Sequence, residues 1–260
     1  MAEELSVATW NVNSVRARLP HLLDWLRSAR PDVLALQELK VAAEEFPAAA
    51  FEELGYAALV NGQKTYNGVA LLSRRPLEAP QAGLAEHEGD PQARVVAATV
   101  AGVRIVDVYV PNGQERGSEK FAYKLRWLDG LARALAARGA DEPLVVLGDF
   151  NIAPEARDIH DPAYYAETIL FTDEERAALR RLLDLGLVDL FRRFHDEPKL
   201  YSWWDYRMNA FRRNLGARID LLLATPSLAE RALSCDVDRA PRALEKPSDH
   251  APVVARFRLA

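Results

Sequence analysis

The side chains best suited to chemistry stand at the end of one apolar segment. Residues 144–147 are leucine and valine, and Gly148, Asp149, Phe150 and Asn151 follow them directly. A short apolar run of this kind predicts a strand that is covered on both faces. Asp149 and Asn151 are two positions apart and share a face if the chain stays extended. A carboxylate and a carboxamide are then expected together at the carboxyl end of a strand, where open α/β sheets usually bind ligands.

Several other apolar segments end in polar groups of the same kind. An isolated Gly-Asp-x-Asn is more often a turn, and a lone glutamate after a strand is often a surface acid. So many polar strand ends are hard to explain as independent accidents, and together they predict an oxygen-rich pocket with one histidine. Because the groups span nearly the whole chain, they also predict a single domain over residues 1–260. The polar groups at the ends of these segments are Asn11, Glu38, Tyr109, Asp149 with Asn151, and Asp249 with His250.

Asp220 is the least expected acid in the sequence. It lies within the apolar segment 219–224, which is predicted to be a strand. A charge in such a segment is costly to bury unless it is paired. In a site of this kind a histidine is the natural partner, because a carboxylate can hold the imidazole ring.

Apolar periodicity predicts the elements that position these groups. Ala101-Gly102 between two apolar runs is a two-residue hairpin signal, so the sheet cannot be purely parallel. Gly148 is expected to let the backbone turn as it leaves its strand. Strands are predicted at 5–10, 33–36, 56–60, 68–72, 94–100, 103–109, 144–147, 219–224 and 253–259, and helices at 19–26, 46–54, 121–135 with a cap at Gly139, and 172–185.

The composition restricts the class of protein. With 260 residues, 49% hydrophobic and 27% charged, the chain is typical of a soluble globular protein. No apolar run approaches the ~18 residues of a membrane span, and the acidic first residues are unlike a signal peptide, so a cytoplasmic protein without membrane contact is expected. Cys235 is the only cysteine in the sequence, which excludes an internal disulfide. The five histidines form no zinc-type cluster, so a metal here is expected to be a hard, oxygen-bound cation.

A long aromatic loop is predicted at 200–216, and loops of this length are usually functional. Basic residues are concentrated at 120–126, 207–218 and 239–246. The net charge of −5 argues against a protein that coats itself with nucleic acid, but it does not exclude local contact. Since arginine clusters are most often solvated surfaces, these segments alone do not predict a nucleic-acid site.

Taken together, the motifs resemble the exonuclease III family of apurinic/apyrimidinic (AP) endonucleases, within the DNase I-like superfamily. The resemblance covers essentially the whole chain. The Gln-Glu, Gly-Asp-x-Asn and Ser-Asp-His pieces are shared with phosphatases and phosphodiesterases, whereas the pieces at 202–207 and 218–224 point more narrowly to DNA repair nucleases. The matching stretches are 10–13, 36–40, 68–72, 109–113, 148–151, 202–207, 218–220 and 247–252.

The resemblance implies a fold and a cofactor. The fold is a four-layer α/β sandwich in which two mixed β-sheets pack face to face with helices on the outside. The cofactor is Mg²⁺, for which Mn²⁺ substitutes, and oxygen ligands suit such hard cations. Whether one ion or two are bound is left open. The implied metal-binding residues are Asn11, Glu38, Asp149, Asn151, Asp249 and His250.

The resemblance also implies a division of catalytic roles. Asp149 would position and deprotonate the attacking water, and Asp220 would orient His250. Tyr109, Asn151 and His250 would stabilise charge on the phosphate in the transition state. Phosphodiester hydrolysis needs such a base together with donors or cations directed at the phosphoryl oxygens.

The implied activity is cleavage of double-stranded DNA 5′ to abasic sites, with 3′-5′ exonuclease and 3′-phosphodiesterase or phosphatase activity at nicks and blocked 3′ ends, by a monomeric enzyme. Trp203 aligns with a pocket aromatic of the family, although core packing is expected for one of Trp203 and Trp204. Arg207 and Met208 occupy positions from which a side chain could enter the gap in the duplex. The implied DNA-binding residues are Trp203, Trp204, Tyr206, Arg207, Met208, Asn112, Arg94 and Lys120.

Three positions depart from the family pattern, and two other functions stay open. Ser14 replaces a glycine, Asn112 a glutamine, and Ala217 a bulky aromatic that lines the abasic pocket in some relatives. One alternative is a phosphoesterase of the superfamily that acts on a small or lipid phosphate and does not need the aromatic loop. The other is a non-enzymatic DNA-binding relative. Against this alternative, every motif position needed for catalysis holds a competent residue.

Overall fold

Two six-stranded β-sheets form the centre of the part of the chain that the computed structural model describes, residues 3–87, 89–138 and 142–259. The strands include every one predicted from the sequence, with bounds that differ by a few residues. They are β1 (Glu4–Asn11), β2 (Val33–Gln37), β3 (Ala57–Asn61), β4 (Val69–Ser73), β5 (Glu78–Ala82), β6 (Val95–Val100), β7 (Val103–Tyr109), β8 (Leu144–Asp149), β9 (Val188–Asp189), β10 (Asp220–Ala224), β11 (Ala232–Val237) and β12 (Val253–Arg258).

Helices connect the strands and cover the outer faces of the sheets. Among the described residues, none of these helices is long and apolar enough to cross a membrane. The predicted cap of the third helix, Gly139, lies outside the described residues. The helices are α1 (Val15–Ala29), α2 (Ala48–Glu52), α3 (Glu119–Ala136), α4 (Pro162–Glu167), α5 (Asp173–Leu183), α6 (Leu190–Phe194), α7 (Ala210–Arg213) and α8 (Pro226–Ala229).

Both sheets are mixed. The first sheet has the order β11-β12-β1-β2-β4-β3, and the second has the order β5-β6-β7-β8-β10-β9. In each sheet one central pair is parallel, β1 with β2 and β7 with β8, and the other pairs are antiparallel. The expectation of mixed sheets is therefore confirmed.

The core is layered as the alternation of side chains requires. On β1, Leu5 and Val7 face the second sheet, where they pack in one cluster with Val145 and Leu147 of β8. Residues of opposite parity on β1 pack outward against α1 and α2, and the outer face of the second sheet packs against α3 and α5. Successive side chains of a strand point to opposite faces, so each strand contributes to two layers. The result confirms the predicted four-layer sandwich.

Strand direction brings the polar strand ends to one end of the sandwich. Tyr109 of β7 lies beside Asp149 of β8, and Asp149 lies beside Asp220, the first residue of the antiparallel β10. Asn11 ends β1 on the opposite sheet beside Gln37 of β2. All of these except Tyr109 are buried, so the space between the sheets changes from apolar to polar towards this end.

The structure corrects the predicted role of Gly148. The residue lies inside β8 and does not form a turn at its end. Its φ of +140° is unfavourable for a side chain, and a Cβ there would lie 1.9 Å from the carbonyl oxygen of Val108 on β7. Glycine is required at this position because the backbones of two neighbouring strands approach each other closely.

Several elements differ from the sequence prediction. The strands β5 and β11 are not predicted, because β5 is mostly exposed and contains Pro80, and β11 has no long apolar run. The helix predicted at 46–54 is the shorter α2, and the segment 152–170, predicted to be irregular, contains α4. The aromatic loop at 200–216 is confirmed except that it contains α7.

Candidate active site

Two carboxylates from opposite sheets meet at the side chain of Asn11. Its Nδ2 donates to Glu38 Oε1 at 2.8 Å and to Asp149 Oδ2 at 2.9 Å. The second oxygen of Asp149 accepts a hydrogen bond from the backbone N–H of Asn151 at 2.8 Å. Glu38 follows β2 in the left-handed region, with φ of +54°, which turns its side chain out of the strand direction. Asn11 thereby holds together two acids that would otherwise repel each other.

Among the described residues, Glu38, Asp149 and His250 form a group of side chains that could hold a cation, His250 only with a neutral imidazole. Each offers one ligand atom, and these atoms lie within 4.8 Å of one another. Lys40 Nζ lies 2.9 Å from Glu38 Oε2 and partly balances the negative charge. Carboxylate oxygens are the donors that Mg²⁺ and Mn²⁺ prefer. The donor set therefore fits the hard divalent cation that the sequence predicts.

Asp220 is paired with His250, as expected for an acid within a buried strand. His250 Nδ1 lies 3.0 and 2.9 Å from the two oxygens of Asp220, and Ser202 Oγ donates to Asp220 at 2.6 Å. The other ring nitrogen, Nε2, lies 3.7 Å from Asp149 Oδ2. Because Asp220 binds Nδ1, the ring is oriented with Nε2 towards the carboxylates.

Burial and charge shift the pKa values of this group strongly. Burial raises the pKa of Asp149 to about 7, with Asp220 and Glu38 adding to the increase and His250 opposing it. Burial alone would lower the pKa of His250, but the carboxylates of Asp220 and Asp149 outweigh it and raise that pKa to about 10. The imidazole is therefore a cation at neutral pH, and its Nε2 is a proton donor. Without a cation, the raised pKa makes the Asp149 carboxylate a stronger base than an ordinary aspartate, which suits a catalytic base.

Tyr109 retains its proton beside these acids. Burial raises the pKa of its phenol well above the usual value, and the charges of Glu38 and Asp149 add to this effect. Arg94 packs over the ring with its guanidinium carbon 4.8 Å from the ring centroid and donates to the Tyr109 carbonyl oxygen at 3.0 Å. The Tyr109 hydroxyl is thus a fixed hydrogen-bond donor at the edge of the site.

Asn151 does not share a face with Asp149, so that prediction is wrong. Its φ is +51°, and the extended chain ends at Asp149. Its Nδ2 donates to the Val110 carbonyl at 3.0 Å, and its Oδ1 accepts from Asn112 Nδ2 at 3.0 Å. Asn151 therefore connects two loops, and only its backbone N–H reaches the carboxylate of Asp149.

Asp249 lies next to the cation-binding group but is bound by other donors. Asn13 Nδ2 and Trp203 Nε1 each donate to it at 3.0 Å. Burial by itself raises the pKa of Asp249, but the charge of His250 and these hydrogen bonds outweigh it and hold the pKa below its usual value. The carboxylate thus connects the aromatic loop to the site. Asn13, which the sequence analysis did not select, provides one of these contacts.

The two tryptophans of the aromatic loop have different environments. Trp204 is fully buried with Tyr201 and Ala210, and its Nε1 donates to Asn214 Oδ1 at 3.1 Å. The predicted DNA contact of Trp204 is therefore wrong for its side chain, because that side chain is inside the protein. Trp203 is only partly buried and lines a cavity of about 480 Å³. Core packing of one of the two was expected, and it is Trp204.

The other predicted DNA-binding residues lie at the surface or in two cavities beside the site. Met208 and Tyr206 are exposed, and Arg207 forms a bidentate ion pair with Asp205. Arg94, Asn112 and Lys120 line a polar cavity of about 510 Å³. Asn112 also lines the cavity that contains Trp203, so the two cavities flank it. The second cavity is walled in part by Tyr164, Tyr165 and Arg116, which the sequence analysis did not select.

A second buried polar layer lies beneath the site. Gln37 Nε2 donates to Thr9 Oγ1 at 2.9 Å and to Asp107 Oδ1 at 2.7 Å, and all three side chains are fully buried. Within the described residues, neither Asp107 Oδ2 nor Gln37 Oε1 has a hydrogen-bond partner. Burial raises the pKa of Asp107 well above its usual value. If the Asp107 carboxyl carried a proton, it would supply a hydrogen-bond donor to this group, in which two buried acceptor oxygens have no donor.

We expect Asp107→Asn to stabilise the protein at neutral pH. A carboxyl whose folded pKa lies above its unfolded pKa costs nothing below the unfolded value and destabilises increasingly as the pH rises towards the folded value. The loss is roughly 1.4 kcal/mol for each pH unit in that window. An amide removes this loss, so the stability difference between variant and wild type, measured by urea unfolding, should grow as the pH rises above 4. A difference that does not change with pH would contradict a protonated Asp107.

The architecture and the site together define a DNase I-like α/β sandwich with an acidic centre at one end. The chain belongs to the Endonuclease/Exonuclease/phosphatase family, whose sequence model matches residues 8–250. It is 37% identical to exodeoxyribonuclease III of Haemophilus influenzae, over 96% of this chain and 98% of that protein.

Solved structures show the same similarity. The 3′-5′ exonuclease NExo from Neisseria meningitidis is 46% identical and superposes with a TM-score of 0.95, over 97% of this chain and 99% of that one. A structure of the same Neisseria enzyme is described as a 3′ phosphatase bound to product DNA hairpin. An AP endonuclease from Archaeoglobus fulgidus is 42% identical with a TM-score of 0.94, again over 97% and 99% of the two chains. The predicted family is therefore confirmed, and its similar members include a solved AP endonuclease.

Proposed function

We propose that the protein is a Mg²⁺-dependent DNA repair nuclease that hydrolyses the phosphodiester 5′ to abasic sites and trims blocked 3′ ends. The observation that supports this most directly is the junction of Glu38 and Asp149 at Asn11, beside the Asp220 and His250 pair. A base, a proton donor and a cation-binding group lie within a few ångströms there. Relatives described as exonuclease, 3′ phosphatase and AP endonuclease support DNA as the substrate.

The proposed roles follow from the hydrogen bonds of each residue. Glu38 and Asp149, with Asn11 between them, would hold the cation, which when bound supplies positive charge to the phosphoryl oxygens. Asp149 accepts the proton of the attacking water. His250 Nε2 and the Tyr109 hydroxyl donate towards the phosphate, and Asp220 keeps the imidazole charged and oriented.

We assign three of the predicted metal-binding residues narrower roles than the resemblance implies. Asp249 binds Asn13 and Trp203, so we assign it to positioning the aromatic loop, with its carboxylate at the border of the cation site. Asn151 supports Asp149 through its backbone and Asn112 through its side chain. His250 is a donor in its protonated form and for that reason is not a ligand in the same state.

The surroundings of the site favour DNA over a small phosphate. The polar cavity beside Tyr109 carries Arg94 and Lys120, and the second cavity carries Trp203 and Arg207. A duplex needs cationic contacts along its backbone, and an extruded sugar or base needs apolar walls. A site for a small or lipid phosphate needs neither of the two flanking cavities.

Matched DNA substrates test this proposal. The purified protein with Mg²⁺ should cleave a duplex with one abasic site, remove a 3′ phosphate at a nick, and make no internal cut in an intact duplex of the same sequence. Activity confined to a small phosphodiester such as bis(4-nitrophenyl) phosphate would favour the small-phosphate alternative. Binding to abasic DNA without turnover under any metal would favour the non-enzymatic relative.

We expect Trp203→Ala to reduce incision at an abasic site by about a hundredfold and hydrolysis of a generic small phosphodiester much less. Trp203 is an apolar wall of the second cavity, whereas the small ester needs only the acidic centre. A missing base costs little to extrude, so the wall that receives the bare sugar sets the selectivity. Parallel kinetics on the two substrates measure the difference.

Trp203→Phe is the matched control, because Trp203 Nε1 also donates to Asp249. The phenylalanine keeps an aromatic wall and removes only this hydrogen bond. If Trp203→Phe loses as much abasic-site incision as Trp203→Ala, the contact to Asp249 accounts for the effect and the wall does not. Equal loss on both substrates in Trp203→Ala would contradict the assignment of this cavity.

A further inference from the structure

A buried ion pair lies between the second sheet's two covering helices. It joins Lys124 of α3 to Glu175 of α5, and neither side chain has any exposed area. Burial lowers the pKa of the Lys124 ammonium, while the charge and hydrogen bond of Glu175 act in the opposite direction. A buried pair of this kind contributes little stability compared with apolar side chains of similar volume. The presence of this ion pair must therefore be explained by the other groups that Lys124 and Glu175 contact.

Lys124 uses its three ammonium protons on three different segments. Nζ donates to the carbonyl oxygen of Asn151 at 2.7 Å, to the carbonyl oxygen of Asn112 at 3.2 Å, and to Glu175 Oε1. The loop after β7 passes close to the lysine stem, since a Cβ on Gly113 would lie 3.1 Å from Lys124 Cδ. The lysine thereby joins the loop after β7 to the loop after β8.

Glu175 binds a third loop. Its Oε1 accepts from the Leu170 N–H at 3.1 Å, and its Oε2 accepts from the Thr172 N–H at 3.0 Å and from Thr172 Oγ1 at 2.8 Å. Thr172 is the N-cap of α5, so the glutamate closes a capping box at the same time. Leu170 lines the cavity that contains Trp203.

Two of the backbone groups that the pair binds belong to residues in the left-handed region. Asn151 has φ of +51° and Leu170 has φ of +74°. Asparagine tolerates this conformation, but for leucine it is unusual and costs free energy. Such conformations persist only where the surrounding structure over-determines them. Lys124 holds the first through its carbonyl, and Glu175 holds the second through its N–H.

We propose that Lys124 and Glu175 are positioning residues for the phosphodiester hydrolysis. Lys124 fixes Asn151, whose N–H donates to Asp149 Oδ1 at 2.8 Å and so sets the orientation of the catalytic carboxylate. Glu175 fixes the Leu170 wall of the neighbouring cavity. The inference rests on the proposed function of Asp149. It extends that function to two residues that contact neither the substrate nor the cation.

The test is the double variant Lys124→Met/Glu175→Gln. Removing one charge alone would leave the other buried without a partner and could prevent folding. Methionine keeps the length of the lysine stem, and the glutamine oxygen can keep the two contacts to Thr172, while the Leu170 N–H loses its carboxylate acceptor. We expect kcat on abasic DNA to fall by about tenfold to a hundredfold, because a displacement of about 1 Å at a catalytic group has effects of this size. KM for the same DNA should change much less.

Leu179→Ala is the matched control. Leu179 is buried on α5 in the apolar cluster with the second sheet, and its truncation weakens the same helix without touching the loops. Amide hydrogen exchange provides a measurement that does not depend on activity. Under native conditions, exchange at Asn151 and Leu170 should become faster in the double variant and stay as in wild type in Leu179→Ala.

The outcomes separate the two proposals. A lower kcat with faster exchange at the two amides, both absent from Leu179→Ala, supports the positioning role. Unchanged exchange at these amides, or a kcat no lower than that of Leu179→Ala, overturns it. Wild-type protein that hydrolyses none of the DNA substrates overturns the proposed function, and the exchange result then still decides whether the pair holds these loops.

Discussion

Removal of divalent metal is expected to abolish turnover of abasic DNA completely. Glu38 and Asp149 are joined at Asn11, and without a cation the pKa of Asp149 is raised to about 7 by burial and by the neighbouring acids Asp220 and Glu38. A cation bound there would favour the ionised carboxylates and supply charge to the phosphate. Incision measured in excess EDTA, and again after Mg²⁺ is restored, tests the expectation. Full activity in EDTA would contradict a metal centre at this position.

Glu38→Ala should locate the metal dependence at this site. We expect activity to fall steeply at low Mg²⁺ and to recover in part at high Mg²⁺, because the remaining Asp149 still binds the cation, although more weakly. Glu44→Ala is a suitable control, since Glu44 is an exposed acid of the next segment. A Mg²⁺ titration of incision rate for the three proteins gives the result. Identical titration curves for Glu38→Ala and the control would mean that Glu38 does not bind the cation.

The polar strand ends could be predicted because side-chain alternation and strand direction determine them. Asn11, Asp149 and Asp220 each follow or begin an apolar run, and parallel or antiparallel pairing brings them to one end of the sandwich. The pairing of Asp220 with His250 could also be predicted, since a charge in a buried strand needs a partner. These inferences need only the local pattern.

The remaining details depend on contacts between distant segments, which no local pattern contains. Asn151 leaves the extended conformation, and its carbonyl is bound by Lys124, a residue that the sequence groups with surface cations. Trp204 is buried because α7 and Asn214 close over it. Asp249 is turned towards Asn13 and Trp203, although the motif alone suggests a metal ligand. In each case a partner more than ten positions away, or the packing of a loop, decides the conformation.

Asp149→Asn is expected to lower kcat on abasic DNA by about 10²–10⁴-fold, the range of a general base. The amide has the same shape, but its single oxygen can keep only one of the two hydrogen bonds, from Asn11 Nδ2 or from the Asn151 N–H, and it cannot accept the proton of the attacking water. It also removes one of the charges that raise the pKa of His250. KM should change little, since we assign binding of the duplex to the flanking cavities and not to Asp149. Steady-state kinetics at saturating Mg²⁺ measure both constants.

Asp24→Asn is the control for this substitution, because Asp24 is an exposed acid on α1 whose ion pair is with Arg27 and not with a residue of the site. It should retain wild-type kinetics. Loss of metal affinity in Asp149→Asn is distinguished from loss of the base by repeating the assay over a range of Mg²⁺, since only the first is recovered at high concentration. If kcat stays near that of wild type at every concentration, another residue is the base. The junction of Asn11, Glu38 and Asp149 would then bind the cation without activating the water.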